Sequence, residues 1–175
     1  MNNNVILSVA SALERMGLAV LRYNCRGVGK SEGAITTGPE NTTDAIQIVD
    51  FLTLTTWIDP ARIAVGGYSF GGGIAVELAH QSSKIQALCG IGTAFPETHH
   101  QSCEALLQPK LFVIGDSDQF IPQAKFLEFT NQLAAPKEIH VVPGADHFFR
   151  GHENMVGQLV ASFFHRWLTT LDEFR

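Results

Sequence analysis

The chain has 175 residues, of which 45% are hydrophobic and 17% charged, enough for one domain with a sizeable core and too few for two of ordinary size. A formal charge of -5, with no run of Lys or Arg, argues against a nucleic-acid partner or an anionic membrane surface. Cys25, Cys89 and Cys103 are odd in number and far apart, which suggests neither a disulfide framework nor a zinc spacing and points to a reducing, cytoplasmic setting.

The N-terminus reads as a helix, with Val5, Ile6, Val9, Leu13 and Met16 at helical spacing and Gly17 as its stop. Asn2 to Asn4 stand where a signal peptide would carry basic residues, and no apolar run approaches the length of a membrane span. LAVLRYN, residues 18–24, is a short apolar run of the kind that forms a strand covered on both faces. It runs into CRGVGKSEG, whose GVGKS resembles part of a phosphate loop. That loop needs G-x-x-x-x-G-K-[ST], and Asn24 occupies the first glycine position. The dinucleotide pattern G-x-G-x-x-G fails too, because Glu32 stands where its third glycine belongs.

A second helical stripe, Ala45, Ile48, Val49 and Leu52, ends near Asp59-Pro60. Then come the strand RIAVGG, a helix from about Gly72 to His80, the strand IQALCGIG, a polar linker over residues 93–108, the strand KLFVIG, a helix from Gln123 to Leu133, and the strand EIHVVPG. The last helix carries Val156, Leu159, Val160, Phe163, Phe164, Trp167 and Leu168 on one face. Alternating units of this kind predict one α/β domain over 1–175, a mostly parallel sheet between two layers of helices.

In such sheets, sites lie beyond the carboxyl ends of the strands. After RIAVG comes Gly67-Tyr68-Ser69-Phe70-Gly71, a G-x-S-x-G elbow in its strand-to-helix context, with both flanking glycines expected to avoid a collision between strand and helix. Asp116-Ser117-Asp118 follows KLFVIG, and Ala145-Asp146-His147 follows EIHVVPG. The chain order is nucleophile, acid, histidine. A serine hydroxyl needs a neutral imidazole to take its proton, and the imidazole needs a carboxylate to fix its tautomer.

With these motifs in register, the sequence resembles the small uncapped α/β-hydrolases related to the dienelactone-hydrolase group, along essentially its whole length. The resemblance implies that Ser69 is the nucleophile, Asp118 the acid and His147 the base, that the Phe70 N–H is one oxyanion donor, and that the CRGVGKSEG turn is structural. Asp116 is the alternative acid, which the G-x-x-D-x-x-I-P spacing disfavours. Asp146 reads as a loop-capping carboxylate. His99 and His100, near Cys103, lack further ligands at metal spacing and read as linker residues. Members of the group begin with further strands, one of which lies between the strands matching LAVLRYN and RIAVGG and carries the second oxyanion N–H; this chain starts after them.

The expected function is therefore a cofactor-free serine hydrolase acting on small esters or related acyl compounds. The competing reading is a non-catalytic domain of the same fold that serves as a binding module or is an inactive fragment. Oligomeric state and substrate identity are not encoded in these motifs.

Overall fold

Four runs of apolar residues form the sheet: β1 (Ile63–Tyr68), β2 (Ile85–Ile91), β3 (Lys110–Gly115) and β4 (Lys137–Val142). In the computed structural model, which describes residues 2–95 and 97–169 and the side chains of all these except 97–100, the strands are parallel and stand in the order β1-β2-β3-β4. Alternation along the strands splits the core in two. Ala87, Cys89 and Ile91 of β2, with Leu111 and Val113 of β3, face one side, while Leu88, Phe112 and Ile114 face the other.

The strand order explains where the helices go. Crossovers between parallel strands are right-handed, and here the sheet is built in one direction, so every crossover helix falls on the same face. These are α3 (Phe70–Gln81), α4 (Glu97–Glu104) and α5 (Gln123–Gln132), joined on that face by α2 (Glu40–Thr53). The opposite face is covered by α1 (Asn4–Arg15) and α6 (Glu153–Thr169). Asn3 caps α1, its Oδ1 accepting from the Ile6 N–H at 3.1 Å. α1 and α6 meet closely at Gly157, where a Cβ would lie 2.9 Å from the Ser8 carbonyl oxygen. Buried Phe163 and Phe164 of α6 each add about 1.5–3 kcal/mol of burial free energy.

Three expectations about the elements change. LAVLRYN joins no ladder, so the sheet of the described residues has four strands instead of the five that the apolar runs suggest. Leu18 and Val20 pack on the core beside α1 and α6, whereas Leu21 and Tyr23 are exposed. Nor does this segment pair directly with β1, whose one ladder neighbour among the described residues is β2. An apolar run specifies burial, but a strand also needs a hydrogen-bonding partner. The second change is α4, which occupies the stretch expected to be a linker and seals the core with Cys103 and, just past its end, Leu106. The expected second helix also ends earlier, at Thr53.

The glycine-rich turn after LAVLRYN is closed on itself. The Gly27 N–H donates to the Glu32 carbonyl at 3.0 Å, and the Ser31 hydroxyl donates to the Asn24 carbonyl at 3.0 Å. Arg26 clamps Asp44 of α2 through two hydrogen bonds of 2.8 and 2.6 Å, which hold the Asp44 carboxyl below its ordinary range. These bonds close the turn on itself and tie it to α2.

The elbow after β1 shows which glycines are required. A Cβ on Gly67 would sit 1.9 Å from the Gly71 carbonyl oxygen, and one on Gly72 would sit 1.8 Å from Thr93 Oγ1. Gly71 has nothing within 4 Å of such an atom, so the crowded pair is Gly67 and Gly72 instead of Gly67 and Gly71. Replacing Gly67 with Ala should cost about 3 kcal/mol, the upper range of overpacking, because the obstacle is backbone. Replacing Gly71 with Ala should be neutral or gain up to about 1 kcal/mol from helix propensity. Thermal melting of the two variants measures the contrast, and an equal fall for both would contradict this geometry.

Cys89 and Cys103 are buried, and burial pushes the Cys103 thiol up to about 12 and the Cys89 thiol upward as well. Half-buried Cys25 is also raised, with burial the main cause. Since the thiolate is the reactive form, alkylation of the native protein should reach Cys25 first, and Cys89 and Cys103 only after denaturation. Peptide mass spectrometry reads the order directly; native labelling of Cys89 as fast as Cys25 would overturn it.

Candidate active site

Ser69 is the turn between β1 and α3, and its backbone is held at φ 53°, ψ -118°. A non-glycine residue reaches this region only under strain, which the surrounding packing must impose. The turn is fixed from both sides: the Ser69 N–H donates to the Ile91 carbonyl at 2.8 Å, and the Gly72 N–H donates to the Ser69 carbonyl at 2.9 Å. The side chain is thereby presented at the carboxyl end of the sheet. Phe70 opens α3, so its N–H has no acceptor one turn back in the helix and lies at the positive end of the helix dipole.

His147 comes from the loop after β4, and its ring Nε2 stands 3.0 Å from Ser69 Oγ. Its other nitrogen, Nδ1, is 2.7 Å from Asp118 Oδ2 in the loop after β3. An ionised carboxylate only accepts, so the proton of the neutral ring sits on Nδ1 and the Nε2 lone pair faces the serine. The second carboxylate oxygen, Oδ1, accepts from the Phe120 and Ile121 N–H groups, both at 2.9 Å. The side chains of His147 and Asp118 are 7% and 0% exposed, so this pair is shielded from solvent screening. The arrangement can pass a proton from hydroxyl to imidazole while the carboxylate holds the ring in place.

The two neighbouring carboxylates are engaged elsewhere. Asp116 Oδ1 accepts from the Gly144 N–H and the Ser117 hydroxyl, both at 2.8 Å, bracing the β3 loop against the β4 loop. Asp146 accepts from the Arg150 N–H at 3.3 Å, within its own loop.

Several supporting residues were not singled out from sequence. The Tyr68 hydroxyl donates to the His147 carbonyl at 3.1 Å, and burial, followed by the charges of Asp118 and Asp146, raises its phenol, keeping it a donor. Gln119 Oε1 accepts from the His147 N–H at 3.3 Å. The Phe120 ring stands edge-on to the imidazole, with centroids 5.0 Å apart. Gly92, at φ 52°, lets the imidazole approach, since a Cβ there would lie 3.3 Å from His147 Cε1. Tyr68, Gln119 and Phe120 lie beside motif residues, and adjacency is the signal that would have found them; Gly92 follows β2, away from all three motifs.

Among the described residues no three His, Cys, Asp or Glu side chains gather as a metal site requires, and no helix is long and apolar enough to cross a membrane. The side chains of His99 and His100 fall outside the described residues.

Comparison with known proteins agrees with this architecture. A structure described as an α/β serine hydrolase homologue from Coxiella burnetii superposes with a TM-score of 0.84 at 32% identity, covering 93% of this chain and 76% of that one. A putative α/β hydrolase from Agrobacterium tumefaciens gives a TM-score of 0.83 at 26% identity, covering 98% and 80%. By sequence, the chain is 30% identical over 184 aligned positions to an uncharacterised protein of Mycobacterium tuberculosis, covering 92% of this chain and 63% of that protein. It is 28% identical over 158 positions to one of Rickettsia prowazekii, covering 86% and 66%. The chain thus spans 63–66% of the length of these two relatives. The sequence model of the dienelactone hydrolase family matches residues 32–175, more than half of the chain, and with the parallel sheet, its flanking helices and these structural neighbours this places the chain in the dienelactone hydrolase family, with the α/β-hydrolase fold.

Proposed function

We propose that the chain is a soluble, cytoplasmic, single-domain serine hydrolase acting on small esters or related acyl compounds through an acyl-enzyme. The observation that carries this reading is the unbroken relay Asp118–His147–Ser69, with hydrogen-bond distances of 2.7 and 3.0 Å, standing at the end of a strained elbow. Ser69 is the nucleophile, His147 the general base and then acid, and Asp118 the carboxylate that fixes the imidazole. Ser69 Oγ attacks the substrate carbonyl as its proton moves to His147 Nε2. The negative charge that develops on the carbonyl oxygen is met by the Phe70 N–H at the start of α3. Collapse of this intermediate breaks the bond to the alcohol, which leaves with the proton from Nε2. Water, activated by the same imidazole, then hydrolyses the acyl-serine. The chemistry draws on side chains and one backbone donor and calls for no cofactor. The three free thiols support a reducing compartment.

A fluorophosphonate probe tests the nucleophile. It should label the wild-type chain, with the adduct on Ser69 by peptide mass spectrometry, and Ser69→Ala should abolish labelling. A folded chain that stays unlabelled would favour the non-catalytic module instead, and labelling that survives Ser69→Ala would refute the assignment.

The two carboxylates separate by mutation. Asp118→Asn should preserve the fold and lower turnover by about 10⁴-fold, as loss of the tautomer-fixing acid does in other triads. Asp116→Asn, which weakens only the brace to Gly144, should lower melting temperature more than turnover. A p-nitrophenyl ester assay together with melting curves makes the comparison; a larger turnover loss for Asp116→Asn would reverse the choice of acid.

A further inference from the structure

A cavity of about 510 Å³ lies between α5, the end of α4 and the loop that carries Asp118. That volume falls within the usual range for small-molecule sites. Four phenylalanines line it: Phe95 packs against Phe129 at 4.9 Å and Phe126 at 5.7 Å between centroids, and Phe120 joins them with Ile121 from the Asp118 loop. Three charged residues line it, Glu104, Lys125 and Glu128, of both signs, so no single-sign field selects a charged ligand.

Phe120 connects this cavity to the chemistry. It lines the cavity and also stands against the His147 ring at 5.0 Å, and with 64% of its surface exposed it has room to shift for a ligand. The side of the site matters. In acyl transfer, the leaving oxygen must come within hydrogen-bond reach of the imidazole that returns its proton, so its substituent projects on the histidine side.

We infer that this cavity is the leaving-group pocket, and that it takes an uncharged aryl or arylalkyl alcohol. The inference rests on the serine-hydrolase reading above. As Ser69 is acylated, the carbonyl carbon–oxygen bond to the alcohol breaks, the electron pair goes to the oxygen, and the proton held by His147 Nε2 joins it. The released arylalkyl alcohol then departs past Phe120. Aromatic walls suit a ring, which packs at centroid separations of about 4.5–7 Å.

The experiment uses four esters and one ligand. Benzyl acetate should exceed ethyl acetate in kcat/KM by about tenfold to a hundredfold, the range expected from burying a ring. Methyl phenylacetate, with the ring on the acyl side, should show no such advantage over methyl acetate. Phe129→Trp, which fills the cavity from α5, should collapse the benzyl-to-ethyl ratio, and Phe129→Leu should retain part of it. A ratio near one in a chain whose Ser69 is labelled by the probe would overturn the inference while leaving the hydrolase reading intact, and a preference for the acyl-side ring would overturn its orientation. Independently of turnover, fluorine NMR with 4-fluorobenzyl alcohol should show saturable binding that Phe129→Trp removes. Binding without hydrolysis would overturn the leaving-group role and leave a ring-binding cavity alone; neither binding nor hydrolysis would overturn the cavity as a ring site as well.

Discussion

The backbone of Ser69, held at a positive φ, is the constraint on which the site depends. The turn is so tight that a Cβ on Gly67 would meet the Gly71 backbone, and it holds Ser69 Oγ 3.0 Å from His147 Nε2. A relaxed turn would separate the two. Strain of this kind persists only when the surroundings over-determine it, and here they do: a hydrogen bond to Ile91 on one side, one from Gly72 on the other, and the Gly72–Thr93 contact behind.

The relay partners are positioned by a different device. β3 and β4 are tied together at both ends as well as along their ladder. At the amino end the buried Lys110 sends its ammonium to the Ala134 carbonyl at 2.9 Å, and burial holds its pKa below the ordinary lysine range. At the carboxyl end, Asp116 reaches Gly144 and Asp118 reaches His147. The Asp118–His147 contact is therefore one of two parallel braces between the same pair of loops. Asp116 does structural work two residues from the carboxylate that faces the imidazole, which is why two aspartates in one short loop have different surroundings.

The parts of this architecture that were legible in sequence are those set by local pattern. IQALCGIG and KLFVIG are buried on both faces and read as continuous apolar runs, α6 shows its stripe, and the three motif loops stand where their strands end. What was not legible depends on distant partners. LAVLRYN has the composition of a strand, but pairing is decided by what lies alongside it. The α4 sequence ETHHQSCE is polar and short, and its helix rests on Cys103 and Leu106 meeting a core assembled from other elements. Which glycine of the elbow is crowded was equally hidden, because Gly72 is constrained by Thr93 from the next strand's end and Gly71 by nothing. The aromatic cavity gathers Phe95, Phe120 and Phe129 from three segments, and no window of sequence contains that grouping.

The two devices are joined by the sheet itself. Beyond each strand end the hydrogen-bonding continues by one more bond into the loop: Ser69 to Ile91, Gly92 to Val113 and Asp116 to Val142, at 2.8, 2.8 and 3.2 Å. The Ser69 turn is thus laced to β2, the loop after β2 to β3, and the Asp116–Asp118 loop to β4. A 3.0 Å contact between residues 78 apart in sequence, Ser69 and His147, is reached through three lateral steps of ladder. Among the described residues β1 and β4 both stand at edges with one ladder neighbour each, whereas β2 and β3 are held on both sides, so displacement of β1 would move Ser69 while leaving Asp118 and His147 in register. The relay therefore divides into a histidine–aspartate unit, whose edge strand β4 is held to β3 by the two loop braces as well as the ladder, and a serine whose alignment depends on β1 keeping its place beside β2.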